Sequence, residues 1–163
     1  MPIQDLRDLR AALPRHSRLI GLDPGARVIG VALSDVSLML ASPYGSVKRG
    51  KLVASAAEIL AIARREGAGG LVVGLPLSMD GTAGPAAQAA RDWAMALSDA
   101  TGLPVALWDE RLSSAAVNRA MIREADMTRK KRAAAVDAAA AAYTLQGALD
   151  ATAPRMEPPG FDR

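Results

Sequence analysis

Arg18-Leu19-Ile20-Gly21-Leu22-Asp23-Pro24-Gly25-Ala26-Arg27-Val28-Ile29-Gly30-Val31-Ala32-Leu33-Ser34 holds two β-rich runs around a Pro-Gly turn. Arg18 to Leu22 reads as a strand ending at Asp23, and Val28 to Ser34 restarts the β pattern, so the pair reads as a hairpin. Gly30, inside the second run, marks a place where another stretch of backbone comes close.

Working outward, a third strand is expected near Leu38 to Val47, interrupted by Pro43. Leu52 to Glu66 carries Val53, Ala56, Ala57, Leu60 and Ala63 at a spacing near the helical period, and Gly67 stops it. Leu71 to Leu75 is a short apolar run of the kind found in a central strand covered on both faces, and Pro76 ends it. Gly81 to Gly84 opens a helix from Pro85 to Thr101, and Val105 to Trp108 reads as a strand followed by Asp109, Glu110 and Arg111. Ser113 or Ser114 can cap a helix over Ala115 to Glu124, and an Ala-rich helix is expected from Ala133 to Ala148. Hairpin first and βαβ units later imply an α/β fold, one mixed sheet with helices on both faces. The expected organisation is a single domain over 18–150, preceded by an extension, 1–17, and followed by a Pro-rich disordered tail, 151–163.

Composition narrows the chemistry. The 163 residues contain no cysteine and one histidine, His16, which removes thiolate sites, a Cys nucleophile and multi-histidine metal centres, and makes the cytoplasm the expected compartment. Five aromatic residues, Tyr44, Trp93, Trp108, Tyr143 and Phe161, are too scattered for a base-stacking platform. No apolar run approaches the roughly 20 residues that a membrane span needs, so no membrane role is expected. The formal charge of +3 is uneven: Arg119, Arg123, Arg129, Lys130, Lys131 and Arg132 face only Glu124 and Asp126 within 119–132. Such a block is either a solvated helix start or a contact for a polyanion.

Three acidic positions stand out: Asp23 at the end of the first strand, Asp109-Glu110 at the end of the last, and Asp137 within an otherwise apolar helix. In open α/β sheets ligands bind outside the carboxyl ends of strands, so the first two can face one crevice. Asp137 shares a helix face with Ala140, Ala141 and Thr144, small enough to lie against a sheet. Singly, each acid has a structural reading as turn former, ion-pair partner or helix-dipole partner. Together they repel unless a cation compensates, and Mg²⁺ or Mn²⁺ suits oxygen ligands and phosphodiester hydrolysis without His or Cys.

The stretch from Gly21 to Asp35 resembles the opening motif of the YqgF/RuvX family, nucleases of the RNase H-like superfamily. Val73 to Thr82, Asp109 to Ser114, and Val136-Asp137 through Leu145-Gln146 resemble further motifs of that family in the same order. The resemblance implies a three-layer α/β/α RNase H-like fold with a mixed five-stranded sheet. It also implies a metal-dependent hydrolase that matures the 5′ end of the 16S ribosomal RNA precursor, or resolves Holliday junctions as RuvC-type resolvases do. By motif, Asp23, Glu110 and Asp137 are the expected catalytic acids and metal ligands, while Asp109 is left open. Arg27, Arg111 and the block Arg129, Lys130, Lys131 and Arg132 are the expected nucleic-acid contacts, with RNA favoured over branched DNA and a homodimer compatible with the resemblance. The chain departs from the pattern at Val28, where a second basic residue is frequent, and at Ser113-Ser114, where two threonines are.

Two other classes compete. Asp23-x-Gly25-x₄-Gly30 also resembles the first phosphate loop of actin-like ATPases, but those need a second lobe that 163 residues do not supply. A non-catalytic RNA-binding assembly factor would use the basic block alone. In the middle motif, Gly74, Pro76 and Gly81 bend the chain while Asp80 and Thr82 offer polar groups at a helix start, as a plain cap or as a guide for phosphate.

Overall fold

The runs on either side of Pro24-Gly25 pair as the hairpin pattern requires. In the computed structural model, which describes residues 3–25, 27–76, 84–110 and 129–154, strands β1 (Arg18–Pro24) and β2 (Val28–Ser34) run antiparallel with Asp23 opposite Gly30. Strand β3 (Ala41–Lys48) pairs antiparallel with β2. Strands β4 (Ala68–Leu75) and β5 (Val105–Asp109) extend the sheet in parallel on the other side of β1, giving the order β3-β2-β1-β4-β5. The sheet is mixed and five-stranded, as expected.

Four helices cover it: α1 (Leu6–Ala12), α2 (Leu52–Glu66), α3 (Pro85–Thr101) and α4 (Arg129–Ala151). Strand alternation sorts the core into two layers. Ile20, Leu22, Ile29, Val31, Leu71 and Val73 point towards α2 and α3 and bury Ile59, Ala94 and Leu97. Leu19, Ala32, Val72 and Ala106 point the other way and bury Leu6 and Leu9 of α1 and Ala141, Leu145 and Leu149 of α4. The result is a three-layer α/β/α arrangement. Among the described residues no helix is long and apolar enough to cross a membrane.

Several boundaries differ from the sequence reading. β3 continues through Pro43, because the strand lies at the sheet edge and the register shifts opposite it between Val31 and Ala32. α4 begins at Arg129 rather than Ala133, since Lys and Arg are good helix formers and extend the Ala-rich run. The basic block is therefore the opening of this helix. The helix expected over Ala115 to Glu124 and most of the C-terminal tail lie outside the described residues.

The stretch before β1 is folded rather than a free extension. Asp5 caps α1 by accepting a hydrogen bond from the Arg7 N–H, and Leu6 and Leu9 are buried. Arg7 donates to the Ala151 carbonyl at 3.0 Å, while Arg10 donates to the Leu149 carbonyl at 3.0 Å and to Thr152 Oγ1 at 3.1 Å. Two guanidinium groups thus satisfy the last carbonyls of α4, at the negative end of its dipole.

Helix α4 lies unusually close to the hairpin. The Asp137 carbonyl occupies the space where a Cβ on Gly30 would project, and a Cβ on Gly21 would meet Leu145 Cβ at 2.8 Å. Asp137, Ala141 and Leu145 follow one another at a spacing of four, so one face of the helix rests on backbone. The close approach anticipated at Gly30 is this one. At the far end of the hairpin, the Asp35 carboxylate accepts hydrogen bonds from the Met39 and Leu40 N–H groups, and Gln146 of α4 ties the same turn through the Met39 carbonyl and the Ala41 N–H.

Two outcomes follow from these contacts. Gly30→Ala must push α4 off the sheet, which costs about 3 kcal/mol or more as backbone overpacking. That lowers the Tm by about 6–12 °C for a chain of this size; Gly45→Ala, which meets open space, leaves it unchanged. The N–H groups of Leu40 and Met39 hold the Asp35 carboxyl below its ordinary value, so its contribution is present above the unfolded pKa and fades as pH falls through the depressed one. Denaturant midpoints of Asp35→Ala should accordingly fall less steeply than those of the native chain below about pH 4.

Candidate active site

Alternation along the strands decides which acids meet. β1 sends Leu19, Gly21 and Asp23 towards α4, and β5 sends Ala106 and Trp108 the same way. Carried one step beyond β5, the same period brings Glu110 to the α4 face and turns Asp109 away. Asp23 sits opposite Gly30 in the ladder, and directly opposed residues share a face. The helix that presses on Gly30 therefore delivers Asp137 beside Asp23.

Asp23, Pro24, Gly25, Pro76, Glu110, Val136 and Asp137 line one cleft of about 250 Å³. It opens outside the carboxyl ends of β1, β4 and β5, where the chain passes from β1 to antiparallel β2 on one side and parallel β4 on the other. Asp23 is 8% exposed, and Glu110 and Asp137 are half-buried. Of the adjacent pair Asp109-Glu110, only Glu110 lines the cleft, while Asp109 ends β5 opposite Leu75. Among the described residues no group of three or more His, Cys, Asp or Glu side chains is drawn together closely enough to hold a metal ion; the three carboxylates line an open cleft. Their chemistry, three hard oxygen donors on the lining of one cleft, is the kind that suits a divalent cation of the Mg²⁺ or Mn²⁺ type.

The expected cationic contacts divide into three groups. Arg27 is exposed in the turn at the lip of the cleft. Arg129, Lys130, Lys131 and Arg132 begin α4, within about two turns of Asp137. Arg111 lies outside the described residues, as do Asp80, Gly81 and Thr82 of the middle motif. Of the described part of that motif, Val73 to Pro76, Pro76 reaches the cleft, and α3 starts with Gly84 as N-cap and Pro85 in its first turn.

One contributor, Gly74, was read from the sequence as part of a bend but lies inside β4, and a second, Arg49, escaped the sequence reading. Gly74 matters because a Cβ there would meet Glu110 Oε1 at 3.0 Å and Cγ at 3.2 Å, so its bareness gives the carboxylate its place. The signal was present as a glycine one residue before the end of a buried strand. Arg49 donates to the Gly25 carbonyl at 2.8 Å and lies over the Trp93 ring at 5.5 Å, fixing the turn that carries Arg27. No local motif announces that contact.

The family model described as "RuvX: Holliday junction resolvase" matches residues 17–151. A protein of Gluconacetobacter diazotrophicus named "Putative pre-16S rRNA nuclease" is 67% identical over 94% of this chain and 99% of its own length. One of the same name from Acidiphilium cryptum is 69% identical over 92% of this chain and 94% of its own. The T. thermophilus RuvC structure solved in complex with a Holliday junction substrate covers 83% of this chain and 95% of its own at a TM-score of 0.53 and 18% identity, which establishes the RNase H-like fold.

Gly74→Ala is expected to move the Glu110 carboxylate while costing under about 1 kcal/mol, because only the end of a flexible side chain has to give. A crystal structure of the variant reads the displacement; a Tm drop beyond about 4 °C would mean that the strand itself had shifted.

Proposed function

The chain belongs to the RuvX family, and on that premise we propose that it is a divalent-metal-dependent nuclease whose substrate is the 5′ region of the 16S ribosomal RNA precursor. The observation that carries this reading is the convergence of Asp23, Glu110 and Asp137, from three separate elements, on one open cleft. The names of the similar proteins from Gluconacetobacter and Acidiphilium support the substrate.

Asp23, Glu110 and Asp137 are the residues that would hold the metal. When bound, a cation such as Mg²⁺ or Mn²⁺ supplies charge neutralisation between carboxylate and phosphate and an activated water. The chain's own part is placement. Asp23 is fixed by the β1–β2 ladder and Asp137 by the helix seated on Gly30, so two carboxylates are set before substrate arrives. Arg27 at the lip and the cations opening α4 draw a polyanion towards a cleft whose own charge would repel it. His16 precedes β1, a strand length of about 20 Å from Asp23, so proton transfer at the cleft falls to carboxylate and water.

Asp23→Asn and Asp137→Asn should each lower cleavage of an RNA spanning the precursor 5′ end by at least about 100-fold while the Tm is retained. The assay runs with Mg²⁺ and Mn²⁺ beside a four-way DNA junction. Cleavage of the junction with the RNA left intact would transfer the activity to junction resolution, the reading favoured by the family description. RNA binding without cleavage, unaffected by both variants, would make the protein an assembly factor.

A further inference from the structure

We propose that Arg27, Lys48, Arg49 and Lys51 form a second nucleic-acid contact, a phosphate track on the β3 side of the acidic cleft that holds the strand leading out of it. This rests on the nuclease reading, since it supplies that site with part of its substrate grip.

The four cations come together through backbone geometry. Lys48 pairs with Val28 across the β2–β3 ladder, and the Arg49 N–H donates to the Arg27 carbonyl at 2.9 Å. Both contacts lie at the end of the sheet where Asp23 sits. Arg49 reaches furthest inward: its Nη1 donates to the carbonyl of Gly25, a residue of the cleft wall. The guanidinium is also held over the Trp93 ring, so it is pre-organised while one of its five N–H donors is used on Gly25.

Charge is unusually uncompensated here. Between Asp35 and Glu58 the chain carries Lys48, Arg49 and Lys51 and no carboxylate. Lys48 and Lys51 are exposed, and among the described residues neither takes part in an ion pair. Several cations elsewhere have structural work. Arg18 and Arg65 pair with Glu66, and Arg7 and Arg10 hold the end of α4. Lys51 is moreover the N-cap residue of α2, whose first turn has no acidic residue, so the positive end of that helix adds to the field. Four clustered cations running from the cleft lip to a helix N-terminus match a phosphodiester strand, RNA or DNA, better than a single anion.

The test measures binding without divalent metal, so that nothing is cut, as a function of salt. The probes are a single-stranded oligoribonucleotide from the precursor 5′ region and a four-way DNA junction. Lys48→Gln/Lys51→Gln should flatten the salt slope on the RNA by about 1.4, from about 0.7 per lost contact. The native chain then loses about 7-fold more affinity than the variant between about 50 and 200 mM salt. Arg15→Gln/Arg64→Gln removes the same charge from exposed positions at the opposite end of the sheet and should leave the slope unchanged. A slope on both probes that is unaltered by Lys48→Gln/Lys51→Gln, or flattened equally by the control, overturns the track, whatever the cleavage assay shows. A slope flattened by Lys48→Gln/Lys51→Gln alone, in a protein that cleaves neither probe with metal, keeps the track and overturns the nuclease reading. Flattening confined to the junction would identify the strand as DNA.

Discussion

The seat of helix α4 on the β1–β2 hairpin is the constraint from which the site follows. Because Gly30 has no side chain, the Asp137 carbonyl can occupy that space, and because Asp23 is the ladder partner of Gly30, Asp137 arrives beside it. One steric vacancy thus converts a helix packing contact into a pair of neighbouring carboxylates. The third acid uses the same device at Gly74, which clears room for Glu110. In each case an absent Cβ leaves room for a charged group, and such a steric restraint is insensitive to pH and salt.

Electrostatics works at two ranges. Within the cleft, three buried or half-buried carboxylates of like charge line one space. Beyond it, the exposed Arg27, Lys48 and Lys51 at the hairpin end carry charge of the opposite sign, whose field reaches roughly one Debye length, about 8–10 Å, into solvent. The whole-chain charge of +3 conceals this because it averages the two regions.

Much of this was legible from sequence, for reasons that can be named. The hairpin, the two parallel strands and helices α2 and α3 rest on local periodicity, Gly stops and Pro breaks, and those signals survive into the structure. Asp23, Glu110 and Asp137 stood at strand ends or on a small-residue helix face, so their convergence was a consequence of topology. The choice between Asp109 and Glu110 was also written in the chain, since Ala106, Trp108 and Glu110 share one parity. What stayed hidden depends on contacts distant in sequence. Nothing local says that Leu9 packs on the far side of the sheet from α2, that Arg49 reaches Gly25, or that Gly74 yields its space to a residue 36 positions later. Pro43 misled because an edge position, which tolerates proline, is a property of strand order.

The grip of Arg7 and Arg10 on the end of α4 spans 144 and 139 residues of chain. During synthesis α1 emerges before the whole sheet, whereas its docking site at Leu149 and Ala151 is made only after it. Until then the helix that carries Asp137 lacks its terminal restraint, and the hydrophobic side of α1 has only a partial surface to cover. Long-range closure of this kind comes late in folding because the entropy of joining the ends is lost before any contact repays it. The arrangement therefore ties the finished frame of the cleft to the arrival of the end of α4: a nascent chain that still lacks Leu149 and Ala151 holds its acidic residues but not yet this restraint on the helix that carries Asp137.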